Sequence, residues 1–267
     1  MSTEAKNYKK NNPNVNYGNL TLSELNKLPI HNGFIDFKIK KTSFKMLNIM
    51  NDDSSAVKFF WQGYHDLQSL DLWFDICKDE GIYIDVGAHT GLYTMTSLKA
   101  NKLNYVVSIE PYFLNMARLI NNLRLNRLQN NAQTFLLAVS DLDTMSKFNI
   151  NTDKTYLSKG GKIDDKGELI KTIKLDSINF DTTVKKIKGI KIDTEGEDLK
   201  VLKGAHDIIN KFRPKIIIEV RNENKLNIQS FLKDFNYDLF LVKDLKNSVN
   251  LKDINISKVL NIFANQN

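Results

Sequence analysis

The chain has 267 residues, 42% of them hydrophobic, which allows one large α/β domain with an N-terminal extension. One cysteine, Cys77, excludes a disulfide framework and suits a reducing compartment, so a cytoplasmic location is expected. The formal charge of +7 is scattered, the polar start lacks the apolar run of a signal peptide, and no uncharged apolar stretch reaches membrane-spanning length. The densest basic run, Lys185-Lys186-Ile187-Lys188, has no interleaved aromatics and reads as a solvated face, so a nucleic-acid partner is not expected.

Residues 1–19 are polar, rich in Asn and Lys, and read as a flexible N-terminus. Residues 20–80 read as an N-terminal cap with a hairpin and a helix. Leu22 and Leu25 mark a helical turn, residues 34–39 alternate as a strand, and residues 44–49 offer its hairpin partner. Leu70, Trp73, Phe74 and Cys77 then repeat at helical spacing. Residues 81–267 alternate strand and helix. Strands are expected at residues 82–86, 105–109, 134–139, 189–193, 216–220, 238–242 and 259–263. Helical stripes fill the gaps, such as Met116, Ala117, Ile120 and Leu123, or Leu199, Leu202, Ala205, Ile208 and Ile209. Residues 141–175 are polar, carry Gly160, Gly161 and Gly167, and read as a hairpin or flap over the cleft. The pattern implies a mostly parallel seven-stranded sheet covered by helices on both faces.

In such sheets ligands bind beyond the carboxyl ends of the strands. Those ends offer Asp85 with the loop Gly87-Ala88-His89-Thr90-Gly91, then Glu110, then Ser140 and Asp141, then Asp193 and Glu195, then Glu219. Carboxylates so placed are costly unless ligated or hydrogen-bonded. They describe a cleft for a hydroxyl-rich, cationic or metal-bound ligand. The loop and the following helix N-terminus suit a polar or negatively charged group. Glu110 lies one strand–helix unit further on, where a carboxylate can grip both hydroxyls of a ribose. The close G-x-G pair of a dinucleotide site is absent, which favours a smaller nucleoside ligand, S-adenosylmethionine, over NAD.

The run Ile84-Asp85-Val86-Gly87-Ala88-His89-Thr90-Gly91, then Glu110-Pro111, Asn122, Asn126 and Ala138-Val139-Ser140-Asp141, resembles the FkbM-type methyltransferases. So do Ile190-Lys191-Ile192-Asp193-Thr194-Glu195-Gly196-Glu197, Val201-Leu202-Lys203-Gly204-Ala205, Arg213-Pro214 and Ile218-Glu219-Val220. The resemblance covers roughly residues 60–242. It implies a class I, Rossmann-like methyltransferase fold, S-adenosylmethionine as donor, and an oxygen acceptor on a sugar or secondary metabolite. The chain departs from the family pattern at His89, where Asn is commoner. It departs again at Gly63-Tyr64-His65, where an acid usually stands in place of His65.

The expected donor-binding set is Asp85, Gly87, Ala88, His89, Gly91 and Glu110, with Ser140 and Asp141 near the adenine. Methyl transfer from a sulfonium needs an aligned acceptor and a proton acceptor. Asp193 is the expected catalytic carboxylate, with His65 as the alternative base. An aspartate is a weak base for an alcohol, so Asp193 and Glu219 pair as candidate ligands for Mg²⁺. Tyr64, Glu195 and Glu219 are assigned to the acceptor side, with Trp61 as a further wall. The leading expectation is an O-methyltransferase acting on a sugar or saccharide-linked hydroxyl. The alternatives are another oxygen acceptor (a phosphoryl-linked polysaccharide group, a lipid, a natural product or RNA), an NAD-dependent oxidoreductase, or a binding domain without chemistry.

Overall fold

The structure is a computed structural model that describes residues 4–64, 66–150, 157, 161–163, 166–181, 183 and 185–266. The N-terminal part comprises α1 (Glu4–Asn11), α2 (Leu22–Leu25), β1 (Gly33–Ile39), β2 (Thr42–Asn48), α3 (Ser54–Gln62) and α4 (Leu67–Ile76). Next come β3 (Ile82–Val86), α5 (Leu92–Ala100), β4 (Tyr105–Ile109), α6 (Phe113–Leu125) and β5 (Ala132–Phe135). A small-sheet segment follows, with β6 (Ala138–Val139), β7 (Thr144–Ile150), β8 (Gly161–Ile163) and β9 (Glu168–Ile173). The chain closes with β10 (Ile187–Ile192), α7 (Asp198–Gly204), α8 (His206–Phe212), β11 (Lys215–Val220), α9 (Lys225–Asp234), β12 (Asp238–Leu241), β13 (Asp244–Ser248) and β14 (Leu260–Asn265).

The main sheet has the order β13-β12-β14-β11-β10-β3-β4-β5. The four pairings from β11 to β5 are parallel, and β14 runs antiparallel between β11 and β12. The sheet has eight strands, one more than the sequence predicts, because β13 folds back on β12 as an edge hairpin. Its exposed, polar residues left no alternating signal. Strand periodicity divides the core. Ile82, Ile84 and Val86 face a layer with Val201, Ile208 and Ile228, while Tyr83 faces Trp73, Met95 and Leu119 on the other side. Each such buried aliphatic side chain contributes roughly 1.5–3 kcal/mol. Among the described residues, no helix is long and apolar enough to cross a membrane.

Two predicted elements differ. Residues 4–19 are not loosely attached. Tyr8 and Tyr17 pack on Trp61, and Lys9 Nζ donates to the carbonyls of Phe60 and Trp61 at 2.5 and 3.0 Å. The polar composition hid these few anchors. The strand predicted at residues 134–139 is split. β5 stays in the main sheet, whereas β6 pairs with β9 in a four-stranded sheet of order β6-β9-β7-β8. The antiparallel β7–β9 pair agrees with a hairpin in residues 141–175, although residues 151–156, 158–160, 164 and 165 lie outside the described ones.

Candidate active site

A cavity of about 350 Å³ opens at the carboxyl ends of β3, β4, β10 and β11, where a parallel sheet exposes its strand ends. Its lining runs from the glycine loop through Glu110, Asn115 and residues 137–139 to Phe148, Gly161 and Ile163 of the small sheet. It continues through residues 193–195, Glu197 and Glu219 and ends at Ser54 and Ser55 of the cap.

The loop between β3 and α5 is conformationally demanding. Gly87, His89 and Gly91 all have positive φ, at 79°, 50° and 95°. A Cβ on Gly87 would sit 1.8 Å from the Asp193 carbonyl oxygen, so glycine lets the loop and the end of β10 touch. At Gly91 a Cβ would press on Leu119, and Gly91 is outside the cavity lining. Gly87 N–H and Ala88 N–H both donate to the Ile109 carbonyl, at 2.9 and 3.0 Å. The His89 N–H donates to Glu110 Oε2 at 2.9 Å. Glu110 Oε1 accepts from Tyr112 N–H at 2.9 Å and from Asn115 Nδ2 at 3.2 Å. Glu110 is buried, and burial raises its pKa against the pull of these donors. Gly87, Ala88, His89 and Glu110 therefore meet in one wall of the cavity.

Asp85 does not join them. It alternates with Ile84 and Val86, so it points to the α5 side of the sheet, where Oδ2 accepts from Thr94 Oγ1 at 2.6 Å. Its neighbours across the sheet are Lys191 and Ser108. Burial pushes its pKa up to about 6. It braces the first turn of α5 from behind and does not line the cavity. Ser140 and Asp141 are also outside the lining, because the chain leaves the main sheet at residues 136–137. Ser140 N–H pairs with the Ile173 carbonyl, and residues 137–139 take the expected place.

Asp193 lines the cavity. Its backbone N–H donates to the Val86 carbonyl, and its Oδ2 accepts from Lys191 Nζ at 3.2 Å. Lys191 is 1% exposed, with its ammonium 4.9 Å from the Tyr93 ring centre. Glu195 and Glu219 are bridged by one guanidinium. Arg221 NH2 reaches Glu195 Oε2 at 2.6 Å and Glu219 Oε1 at 2.8 Å. Burial, then the nearby Asp193 and Glu195 charges, push Glu219 up to about 7; burial also raises Glu195. Asp193 and Glu219, the expected Mg²⁺ pair, both line the cavity, and each already has a cation beside it. Lys191 takes one carboxylate and Arg221 the other, and among the described residues no three His, Cys, Asp or Glu side chains are grouped as a metal site. Asp198 is the carboxylate at the start of α7, accepting from Thr194 N–H at 3.0 Å and Gly196 N–H at 3.2 Å.

Tyr64 is not at the cavity; its hydroxyl donates to the Gly18 carbonyl at 3.0 Å. Trp61 is buried under α1 and walls nothing. His65 lies outside the described residues. Sequence reasoning missed Lys191, Arg221, Asn115 and the pair Asp52-Asp53. A lysine alternating inside Ile190-Lys191-Ile192 was a signal for the first, and Asp53 ahead of an apolar helical run was one for the last.

The model of the methyltransferase FkbM domain matches residues 85–239, more than half of the chain. The chain belongs to the FkbM methyltransferase family and has an α/β fold. No curated protein sequence matches it. Among solved structures, it is similar to a methyltransferase FkbM from Methylobacillus flagellatus KT, at 20% identity and a TM-score of 0.49. That match covers 69% of this chain and 43% of that one, so the chain spans less than half of the Methylobacillus protein. It is similar also to a precorrin-6y C5,15-methyltransferase from Geobacter metallireducens GS-15, at 10% identity and a TM-score of 0.46, covering 76% and 89%. The TYW2 of M. jannaschii in complex with AdoMet aligns at 14% identity and a TM-score of 0.43, covering 89% and 86%.

Proposed function

We propose that this FkbM-family protein methylates a hydroxyl group of a sugar or saccharide-linked acceptor. The observation that carries the reading is the wall of the cavity built by the ends of β10 and β11 and the turn after β10. It presents Asp193, Glu195, Glu197 and Glu219 together with Thr194. Among the described residues no Lys or Arg lines the cavity. The nearby cations stand behind the wall and are spent on its carboxylates, Lys191 on Asp193 and Arg221 on Glu195 and Glu219. Such a surface accepts hydrogen bonds from a polyol and repels phosphate, which disfavours phosphoryl-linked and RNA acceptors.

The donor's requirements fit the glycine-loop wall. Glu110 is a buried carboxylate fixed by three N–H donors, suited to a ribose diol, and Gly87, Ala88, His89 and Thr90 line the cavity beside it. S-adenosylmethionine supplies an already activated methyl group as a sulfonium. The protein has then to hold the acceptor oxygen in line and take its proton. Asp193 is our candidate for both tasks. Its backbone is tied to Val86 and its carboxylate to Lys191, so it stands fixed at the cavity. The single cysteine is buried, and the cytoplasm is the proposed location.

The test is incubation with labelled S-adenosylmethionine and fractionated saccharides and their nucleotide-linked precursors, read by mass spectrometry. Label is expected in saccharide hydroxyls. Asp193→Asn should lower turnover by about 10²–10⁴-fold, the usual worth of a general base, with donor affinity nearly unchanged. Donor binding without label in any saccharide fraction refutes the acceptor reading, and near-native turnover of Asp193→Asn refutes the role of that residue.

A further inference from the structure

The corner between β2 and α3 carries a group of polar side chains that the chemistry above does not use. Asp53 is fully buried and caps α3, its Oδ1 accepting from Ser55 N–H at 2.9 Å and Ala56 N–H at 3.0 Å. Its second oxygen points out of the cap, into the glycine loop, where Thr90 Oγ1 donates to it at 2.6 Å. The Thr90 carbonyl accepts from Asn122 Nδ2 at 2.9 Å. Asn122 Oδ1 in turn accepts from Leu47 N–H at 2.9 Å, and the Leu47 carbonyl accepts from Arg118 NH1 at 2.8 Å. Arg118 closes the circuit on Asp52, with NH2 to Oδ2 at 2.8 Å and NH1 to Oδ1 at 3.2 Å. Asp52 precedes Asp53 in the chain. All five side chains, Asp52, Asp53, Thr90, Arg118 and Asn122, are buried.

A capping aspartate needs only its first pair of contacts to start α3. The bond to Thr90 does something else. The loop from Gly87 to Gly91 holds three residues at positive φ, a conformation that persists only where its surroundings over-determine it. β4 fixes the loop's first half through the Ile109 carbonyl and Glu110. The second half, at Thr90, is held by the ring just traced, on one side from the cap and on the other from α6. Thr90 lines the cavity, and so do Ser54 and Ser55, the two residues after Asp53.

We propose that Asp53 is a positioning residue for the methyl donor, and that the β2–α3 corner of the cap is a working part of the donor site. This rests on the reading of the glycine-loop wall as the donor site. Asp53 acts through Thr90, by setting the loop in its binding conformation before the ligand arrives. Coupling of this kind is reciprocal. A bound donor must tighten the cap corner as much as the corner tightens the donor.

The experiment uses the full chain and S-adenosylhomocysteine as the probe. Thr90→Val keeps the side-chain shape and the α3 cap but removes the bond. It is expected to weaken binding by calorimetry about ten-fold, the scale of a hydrogen bond to a charged group. Thr90→Ser restores the hydroxyl and should bind within about two-fold of the parent. Asp53→Asn is expected to weaken binding too, and the double variant with Thr90→Val should be no weaker than the worse single one, since both remove the same charge-assisted bond. In the parent protein, bound S-adenosylhomocysteine should slow amide exchange at residues 47–56. Unchanged affinity in folded Thr90→Val, additive losses in the double variant, or exchange at residues 47–56 that ignores the ligand each overturn the proposal. If Asp53→Asn fails to fold, the Thr90 pair and the exchange measurement still decide it. Parent protein that does not bind the probe at all overturns the donor-site reading instead.

Discussion

Asp85→Asn separates a donor ligand from a structural brace. Asp85 is buried, receives Thr94 Oγ1 at 2.6 Å, and has its pKa pushed by burial from 3.8 up to about 6. The sign follows from the proton count. Below pH 3.8 the carboxyl is protonated whether the chain is folded or not, and it contributes no pH dependence. Between there and pH 6 only the unfolded chain ionises it, so stability falls as pH rises. Above that the penalty is constant at about 3 kcal/mol, from a shift of about two units at 1.36 kcal/mol each. Asn cannot ionise yet keeps an oxygen for Thr94. Urea unfolding of the two proteins should therefore give a stability difference that moves in favour of Asp85→Asn by about 1.4 kcal/mol between pH 5 and pH 7.5. Calorimetry should show donor affinity little changed, since Asp85 is outside the cavity. A stability difference flat across that range refutes the buried-acid account, and a large loss of donor affinity in a folded variant returns Asp85 to the site.

Two other substitutions probe the donor wall. Glu110→Ala removes the acceptor of three hydrogen bonds and should weaken S-adenosylmethionine binding by about 1.5–3 kcal/mol; unchanged calorimetry in a folded variant removes Glu110 from the site. Gly87→Ala puts a Cβ 1.8 Å from the Asp193 carbonyl at a φ of 79°, so a drop in stability of more than about 2 kcal/mol is expected on denaturant unfolding, together with loss of donor binding; a near-native midpoint contradicts the close approach.

The central sheet was legible because its strands are short runs of Ile and Val bounded by turn residues, and β3, β4, β10 and β11 lie where periodicity put them. The glycine loop and Glu110 were legible because a positive-φ loop and a strand-end carboxylate leave local marks. Asp85 misled for a geometric reason. Its place at the end of a strand is visible in sequence, but its direction follows from alternation with Ile84 and Val86, which turns it away from the cavity. Ser140 and Asp141 misled because Leu136 and Leu137 continue an apolar run while the backbone changes sheets. Tyr64 and residues 4–19 depend on contacts between segments far apart in the chain, such as Tyr64 with Gly18, and no local pattern encodes those.

The two walls of the cavity are held by different parts of the molecule. The donor wall hangs on β4, α6 and the cap, through Ile109, Glu110, Asn122 and Asp53. The other wall hangs on β10 and on Lys191 and Arg221. Burying an ammonium costs several kcal/mol unless it is paired. Lys191 meets that cost by sitting between Asp193 in front and Asp85 across the sheet, with the Tyr93 face beside it. One lysine thus fixes the candidate catalytic carboxylate, while Asp85 on the far side never reaches the cavity. The two halves touch through backbone, where Gly87 lies against the Asp193 carbonyl and the Asp193 N–H binds Val86. That contact sets the spacing between donor loop and acceptor carboxylate without a shared side chain. It follows that side-chain changes on one wall, such as Thr90→Val or Asp193→Asn, should act on donor affinity or on turnover separately. A change at Gly87 must disturb both at once.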